Sequence, residues 1–188
     1  MKHFFLFAAV LLMLVSCNSV PQREGVQFGA VQYGETNNFN ETEAFTVSYT
    51  TTNGATGTLA GFLPYPMTKE DIERMEIGRI SEDDINFDGI PDVQFFLGYE
   101  NLYGNDTYEA FVWDKELGTF EYVENYSSIY APEFDKENKT ITSVHREWMD
   151  GIEYLDYQKY QWVNGVLTLT ESWNDEIDTN EYMEEMVE

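Results

Sequence analysis

From Val26 onward, apolar and polar residues alternate along much of this chain, and turn-forming residues break the alternation at short intervals. A period of two places successive side chains on opposite faces of an extended backbone, so it directs the chain into sheets rather than helices. Val26-Gln27-Phe28 leads into Val31-Gln32-Tyr33, and Ala44 to Thr50 is apolar and β-branched. Thr58 to Leu63 follows a Gly-rich turn at Asn53-Gly54, and Pro64 and Pro66 are expected to close that strand. Val93 to Leu97 is mostly apolar, which predicts a strand buried on both faces. Thr107 to Trp113 and Thr119 to Val123 flank the turn from Asp114 to Gly118, and Lys139 to Arg146 follows a similar turn at Asp135. Glu153 to Val163 and Val166 to Trp173 flank Asn164-Gly165, a dipeptide suited to the positive φ angles of a two-residue hairpin.

One helix interrupts this pattern. Thr68-Lys69-Glu70-Asp71 resembles a capping box with Thr68 as N-cap, Ile72 and Met75 fall on one face, and Gly78 limits the element, predicting a helix from Thr68 to Glu76. The expected fold is all-β, an antiparallel meander forming a small propeller-like or sandwich domain with one short helix. Trp113-Asp114-Lys115-Glu116-Leu117-Gly118-Thr119-Phe120 is echoed by Phe134-Asp135-Lys136-Glu137-Asn138-Lys139-Thr140-Ile141. The echo is open to two readings, a repeated hairpin unit or two ordinary turns.

The first residues follow a different logic. Lys2 and His3 precede an unbroken apolar run from Phe4 to Val15, too short to span a bilayer but suited to a signal peptide. Leu14-Val15-Ser16-Cys17 resembles the bacterial lipobox, which implies cleavage after Ser16 and acylation of Cys17. Several acyl chains on one residue anchor a protein durably, so the membrane is an expected partner. Asn18 is not the Asp that retains some lipoproteins at the inner membrane, so outer-membrane placement is expected over inner. The domain organisation then reads as a signal peptide at 1–16, a polar tether at 17–25, one β domain at 26–173 and an acidic tail at 174–188.

Composition narrows the function classes. With Lys2 removed, nine basic side chains face 35 acidic ones, so the mature charge is near −26. Such a surface repels nucleic acid and attracts cations and basic proteins. A content of 43% hydrophobic and 16% aromatic residues is nonetheless enough for a packed core. Cys17 is the single cysteine, so once acylated it leaves no thiol for disulfides, metal sites or nucleophiles. His145 is the one histidine beyond the signal; it cannot build a multi-histidine zinc site, no G-x-S-x-G elbow accompanies it, and it reads as a strand residue. No pair of carboxylates is flagged for glycosidase chemistry, and an enzyme is not expected. The sequons at Asn40, Asn105, Asn125 and Asn138 are expected to be turn residues behind a bacterial lipobox.

One segment carries metal chemistry. Asp84-Ile85-Asn86-Phe87-Asp88-Gly89-Ile90-Pro91-Asp92 reads D-x-N-x-D-G-x-x-D. Calcium takes six to eight hard oxygens, and Asp84, Asn86 and Asp88 can supply alternate side chains, Ile90 a backbone carbonyl and Asp92 a closing carboxylate, directly or through water. Gly89 permits the sharp turn, and Asp83 lies just outside. An EF-hand would place a bidentate Glu where Phe95 stands, so the loop departs from that motif.

The loop resembles the calcium-binding hairpin loops of FG-GAP repeats. With Tyr103-Gly104-Asn105, Tyr108, Trp113-Asp114, Gly118, Phe120 and the later Tyr160-Gln161-Trp162-Val163-Asn164-Gly165, the stretch from Ile80 to Leu169 is similar to a family of bacterial FG-GAP-like envelope lipoproteins. Some members are immunity proteins that neutralise secreted peptidoglycan hydrolases and share a fold with periplasmic lysozyme inhibitors. The resemblance implies a calcium-stabilised, membrane-anchored protein-binding module, with a basic secreted or periplasmic hydrolase as a partner. No S-G-x-x-Y segment of the kind found in some lysozyme inhibitors occurs. The alternative is a carbohydrate- or ligand-binding surface lipoprotein without catalysis, in which exposed Tyr and Trp side chains would stack on the ligand; core filling is the commoner use of such residues.

Overall fold

Among the described residues, alternation along twelve strands sorts the side chains into two cores, one on each face of a central sheet. The computed structural model describes residues 25–52, 54–100 and 104–178. The signal segment, Cys17 with the tether to residue 24, and residues 179–188 lie outside them. Strands β1 (Val26–Phe28) and β2 (Gln32–Tyr33) both pair with one edge of β3 (Glu41–Thr51), and β4 (Thr56–Thr68) pairs with the other. The second sheet is the meander β5 (Ile80–Asp83), β6 (Asp92–Tyr99), β7 (Asp106–Asp114) and β8 (Thr119–Tyr122). The third is the meander β9 (Glu133–Asp135), β10 (Thr140–Met149), β11 (Ile152–Val163) and β12 (Val166–Asp178). Among the described residues all pairings are antiparallel, and no sheet closes into a barrel.

Phe45, Val47, Leu59 and Leu63 of the first sheet pack against Val93, Phe95, Phe111 and Phe120 of the second. The opposite face of the second sheet meets the third through Ala110, Ile141, Tyr160 and Trp162. The expected all-β fold is therefore realised as a sandwich of three layers. The central position explains why β6 is buried from Asp92 to Gly98, as its apolar run predicted.

Two glycines on β4 make room for aromatic rings from β3. Gly61 pairs with Phe45 and Gly57 with Tyr49. A Cβ at Gly61 would stand 2.5 Å from Phe45 Cζ, and one at Gly57 would overlap the Tyr49 ring. Each ring covers backbone that the missing side chain leaves open.

The helix α1 (Lys69–Arg74) begins as expected: the Asp71 N–H donates to Thr68 Oγ1 at 3.2 Å, and Ile72 is buried. It ends earlier than predicted, because Met75 already leaves helical geometry and Glu76 adopts φ 56°. Strand β4 is longer than predicted and runs through Pro64 and Pro66. Between the pairs Thr42–Met67 and Ala44–Phe62, residues Leu63 to Pro66 stand opposite Glu43 alone, so both prolines lie in a wide bulge where no ladder donor is required. Residues 174–178, expected in the acidic tail, instead extend β12 and pair with Ile152 to Asp156. An exposed edge strand needs no inward apolar series, so its sequence looks like a tail.

The turns follow local chemistry. Asp114 Oδ1 accepts from the N–H groups of Glu116 and Leu117, and Asp135 Oδ1 accepts from those of Glu137 and Asn138. Gly118 and Lys139 close these turns with positive φ. One turn joins the last two strands of its meander and the other joins the first two, so the echo is the same Asx turn used twice rather than a structural repeat. Asn164 (φ 53°) and Gly165 (φ 79°) form the predicted hairpin, and Asp150 (φ 55°) and Gly151 (φ 84°) make an equivalent one. Asn40 and Asn125 occupy left-handed turn positions, and Asn138 donates to Asp135 within its turn. Asn105 differs: it is 0% exposed, its Nδ2 donates to the Arg146 carbonyl at 2.9 Å and its Oδ1 accepts from the Arg146 N–H at 2.8 Å. It tethers the second sheet to the third in the manner of a strand pair.

Candidate functional site

The segment between β5 and β6 separates its residues by chemistry. Ile85, Phe87 and Ile90 are buried, Ile85 and Phe87 in the second core, while Asp84, Asn86 and Asp88 retain solvent access. Phe87 (φ 59°) and Gly89 (φ 88°) supply the left-handed turns that this requires.

Backbone amides organise the outer oxygens. Asp84 Oδ1 accepts from the Asp88 N–H and Oδ2 from the Gly89 N–H, both at 3.0 Å. Asn86 Oδ1 accepts from the Asp88 N–H at 3.0 Å, and Asp88 Oδ1 accepts from the Ile90 N–H at 2.9 Å. Asp92 lies inside and is 0% exposed. Its Oδ2 accepts from the N–H groups of Ile85 (2.8 Å) and Asn86 (3.2 Å), and its Oδ1 from that of Trp113 on β7 (2.8 Å). Burial pushes the Asp92 carboxyl up to about 7; the three amides oppose that shift, and the Asp88 charge adds to it. Asp83 stands apart, paired with Lys136 at 2.9 Å.

The third sheet holds the loop from outside. Trp162 Nε1 donates to the Ile85 carbonyl at 2.8 Å, and Lys139 Nζ donates to the Phe87 carbonyl at 3.3 Å. Neither residue was predicted to serve the loop, because Trp162 on β11 and Lys139 in the β9–β10 turn are far along the chain and touch only its backbone.

The donor set suits a hard cation. Asp84, Asn86 and Asp88 contribute oxygens with lone pairs beyond those used by the amides. The structure brings these three onto the solvent side of one turn, and it turns Asp92 toward backbone N–H groups. Among the described residues, no group of three or more His, Cys, Asp or Glu side chains is arranged around a common point.

A second acidic region lies between the first and second sheets. Here the bulge at Leu63–Pro66 on β4 approaches a bulge at Leu97–Gly98 on β6, where Phe96 pairs with Tyr108 and Gly98 with Thr107. Between them is a cleft of about 420 Å³. Phe62, Tyr65 and Tyr99 line it with exposed rings, Phe62 at 70% exposure. Glu100 sits on the wall, where Oε2 pairs with His145 Nε2 at 2.7 Å and Oε1 accepts from the Tyr130 hydroxyl at 3.0 Å. His145 is thus a strand residue, as expected, with a polar partner on the neighbouring sheet.

Glu109 also lines the cleft, yet it is 4% exposed. Its Oε2 has no hydrogen-bond partner. Burial raises its carboxyl above the ordinary range, while the Tyr122 hydroxyl and the Phe62 N–H favour the ionised form. The sequence held a signal for this placement: Thr107, Glu109 and Phe111 share one parity, so Glu109 had to face inward with Phe111.

No family model matches this chain, and no curated protein matches it. Among solved structures, it is similar to a Xanthomonas protein described as related to a type IV secretion system, with 21% sequence identity and a TM-score of 0.51 over 84% of this chain and 79% of that one. At that identity the likeness is one of fold.

Proposed function

We propose that this protein is a membrane-anchored envelope lipoprotein that acts as a calcium-stabilised protein-binding module. The observation that carries the reading is the set of large aromatic side chains left outside two filled cores on a strongly acidic sandwich: Phe62, Tyr65 and Tyr99 are exposed around the cleft. Exposed aromatic clusters mark interaction surfaces, and acidic charge speeds encounter with basic partners. The description of the structural neighbour as related to a type IV secretion system is compatible with interaction at the envelope.

The finer features rest on the sequence. Cys17 would carry the lipid, and outer-membrane placement is favoured by Asn18. No helix among the described residues is long and apolar enough to cross a membrane. Asp84, Asn86, Asp88 and the Ile90 carbonyl would hold calcium, with Asp92 reaching it directly or through water while pinning the loop. The ion would neutralise clustered carboxylates and lock the turn, a structural role. The FG-GAP-like resemblance extends the reading to immunity against a basic peptidoglycan hydrolase.

Two measurements test this function. Addition of the purified protein to a basic lysozyme-type hydrolase should form a complex by light scattering and lower its activity; neither effect with any such hydrolase from the same envelope would remove the inhibitor role. Changing Cys17→Ser should release the protein from membranes, and retention after a carbonate wash would remove the lipid anchor.

A further inference from the structure

We infer that the cleft between the two bulges is a socket for a cationic side chain, an arginine or lysine presented by a protein partner, with Glu109 as its buried counter-ion. The inference names the grip of the partner and so rests on the protein-binding reading.

The position is unusual for an acidic residue. The rest of the central sheet is closed by apolar packing or satisfied polar groups. Gln94 accepts from the Tyr126 hydroxyl, Thr107 donates to the Gly98 carbonyl, and Asp92 accepts from three amides. Glu109 Oε2 is the one buried side-chain oxygen without a partner among the described residues. A buried acceptor left unmatched is costly, and it persists most readily where a donor arrives from outside.

The chemistry of the cleft selects a charged donor. No Lys or Arg lines it among the described residues, and the histidine beside it pairs with Glu100 rather than with Glu109. Glu100 adds a second carboxylate, already oriented by His145 and Tyr130. Phe62, Tyr65 and Tyr99 present rings at the entrance, which favour a guanidinium or ammonium through their negative faces. The volume of about 420 Å³ accommodates one long basic side chain with room for water. A neutral sugar could stack on the same rings, but it would bring no charge to offset the Glu109 carboxylate.

The architecture explains why the socket stays open. Pro64 and Pro66 keep the β4 bulge from closing into a ladder, and Gly98 (φ 116°) holds the β6 bulge in a conformation that disfavours other residues. Strain and bulges that line a single cleft are characteristic of sites rather than of packing.

The test uses nuclear magnetic resonance titration of the purified protein with N-acetyl-arginine amide, its neutral isostere N-acetyl-citrulline amide and an N-acetylglucosamine trimer. Arginine amide should shift resonances of Phe62, Tyr65 and Tyr99 saturably, and citrulline amide should not. Glu109→Gln keeps the shape and the hydrogen bonds from Tyr122 and Phe62, and it should weaken arginine binding by about 30-fold or more. The same variant should melt no lower than the parent, because it removes a buried charge; a merely structural Glu109 would show lower stability with unchanged binding. Equal shifts with citrulline, saturable binding of the sugar at the same rings, or arginine shifts that survive Glu109→Gln would each overturn the socket. If the hydrolase complex forms equally well with Glu109→Gln, the socket is wrong and the protein-binding reading stands. If arginine amide binds as expected but no hydrolase does, the socket stands and the choice of partner fails.

Discussion

The loop at 84–92 and the cleft beneath β4 are both acidic, but they are wired in opposite ways. In the loop, each carboxylate or amide oxygen that faces inward meets a backbone N–H, and Asp92 alone receives three. In the cleft, Glu109 keeps one buried oxygen unmatched. Burial raises both carboxyls, so desolvation does not distinguish them. The difference lies in where the compensating donors come from. A carboxylate satisfied by its own chain organises the fold, whereas one left unmatched beside open volume is arranged for something that arrives later.

The sharpest way to break this comparison is to remove the loop's internal acceptor. Asp92→Ala would strand three N–H groups, that of Ile85 buried and those of Asn86 and Trp113 half-buried, and should cost about 3–5 kcal/mol, lowering the melting temperature by roughly 10 °C or more. A denaturant melt showing a loss below about 1 kcal/mol would mean that Asp92 does not organise the loop.

Calcium is the next largest effect. At 100-fold excess over its dissociation constant it should add about 2.7 kcal/mol, or roughly 5–10 °C, relative to chelator, with magnesium adding less. Asp84→Ala or Asp88→Ala should abolish the response. Asp83→Ala should keep it while losing some stability, since Asp83 pairs with Lys136 outside the loop. Identical melts in calcium, magnesium and chelator, with no calorimetric heat, would end the calcium assignment.

Trp162→Phe probes the clamp from the third sheet. Loss of the bond to the Ile85 carbonyl should cost about 1–2 kcal/mol and speed hydrogen exchange of the Ile85 and Asn86 amides. Unchanged exchange would show that the loop stands without sheet three.

The smallest effect has the opposite sign. The folded-state carboxyl of Glu109 titrates above its ordinary range, so its contribution favours folding at low pH and is lost as pH rises through the folded value. Glu109→Gln removes that dependence. The variant should therefore gain on the parent as pH rises from about 4 to 7 in paired thermal melts. A variant that loses ground with rising pH would show that burial does not hold the Glu109 carboxyl above its ordinary range.

Much of the fold was legible because it is local. Alternation marked the strands, Asn164-Gly165 marked its hairpin, and Thr68 capped its helix through contacts within four residues. The spacing of Asp84, Asn86 and Asp88 likewise placed three oxygen side chains on one side of the turn before any tertiary contact was known. What escaped the sequence depended on partners far along the chain. Pro64 and Pro66 are tolerated inside β4 because Glu43 alone faces them across the bulge. Residues 174–178 become strand because β11 offers a ladder to an exposed edge. The clamp by Trp162 joins residues 77 apart, and Asn105 spans 41 positions to Arg146.

By itself, the sequence determined that this protein forms antiparallel β structure with one capped helix, that its surface is strongly acidic, and that residues 84–92 form an oxygen-rich turn. Those properties follow from residue type and short-range spacing, which act wherever the chain goes. Only the tertiary structure decided that the sheets stack as three layers, that two bulges meet to leave a cleft, and that Asp92 is satisfied while Glu109 is not. Hydrogen-bond satisfaction belongs to pairs of groups brought together by folding, and no property of either residue alone contains it.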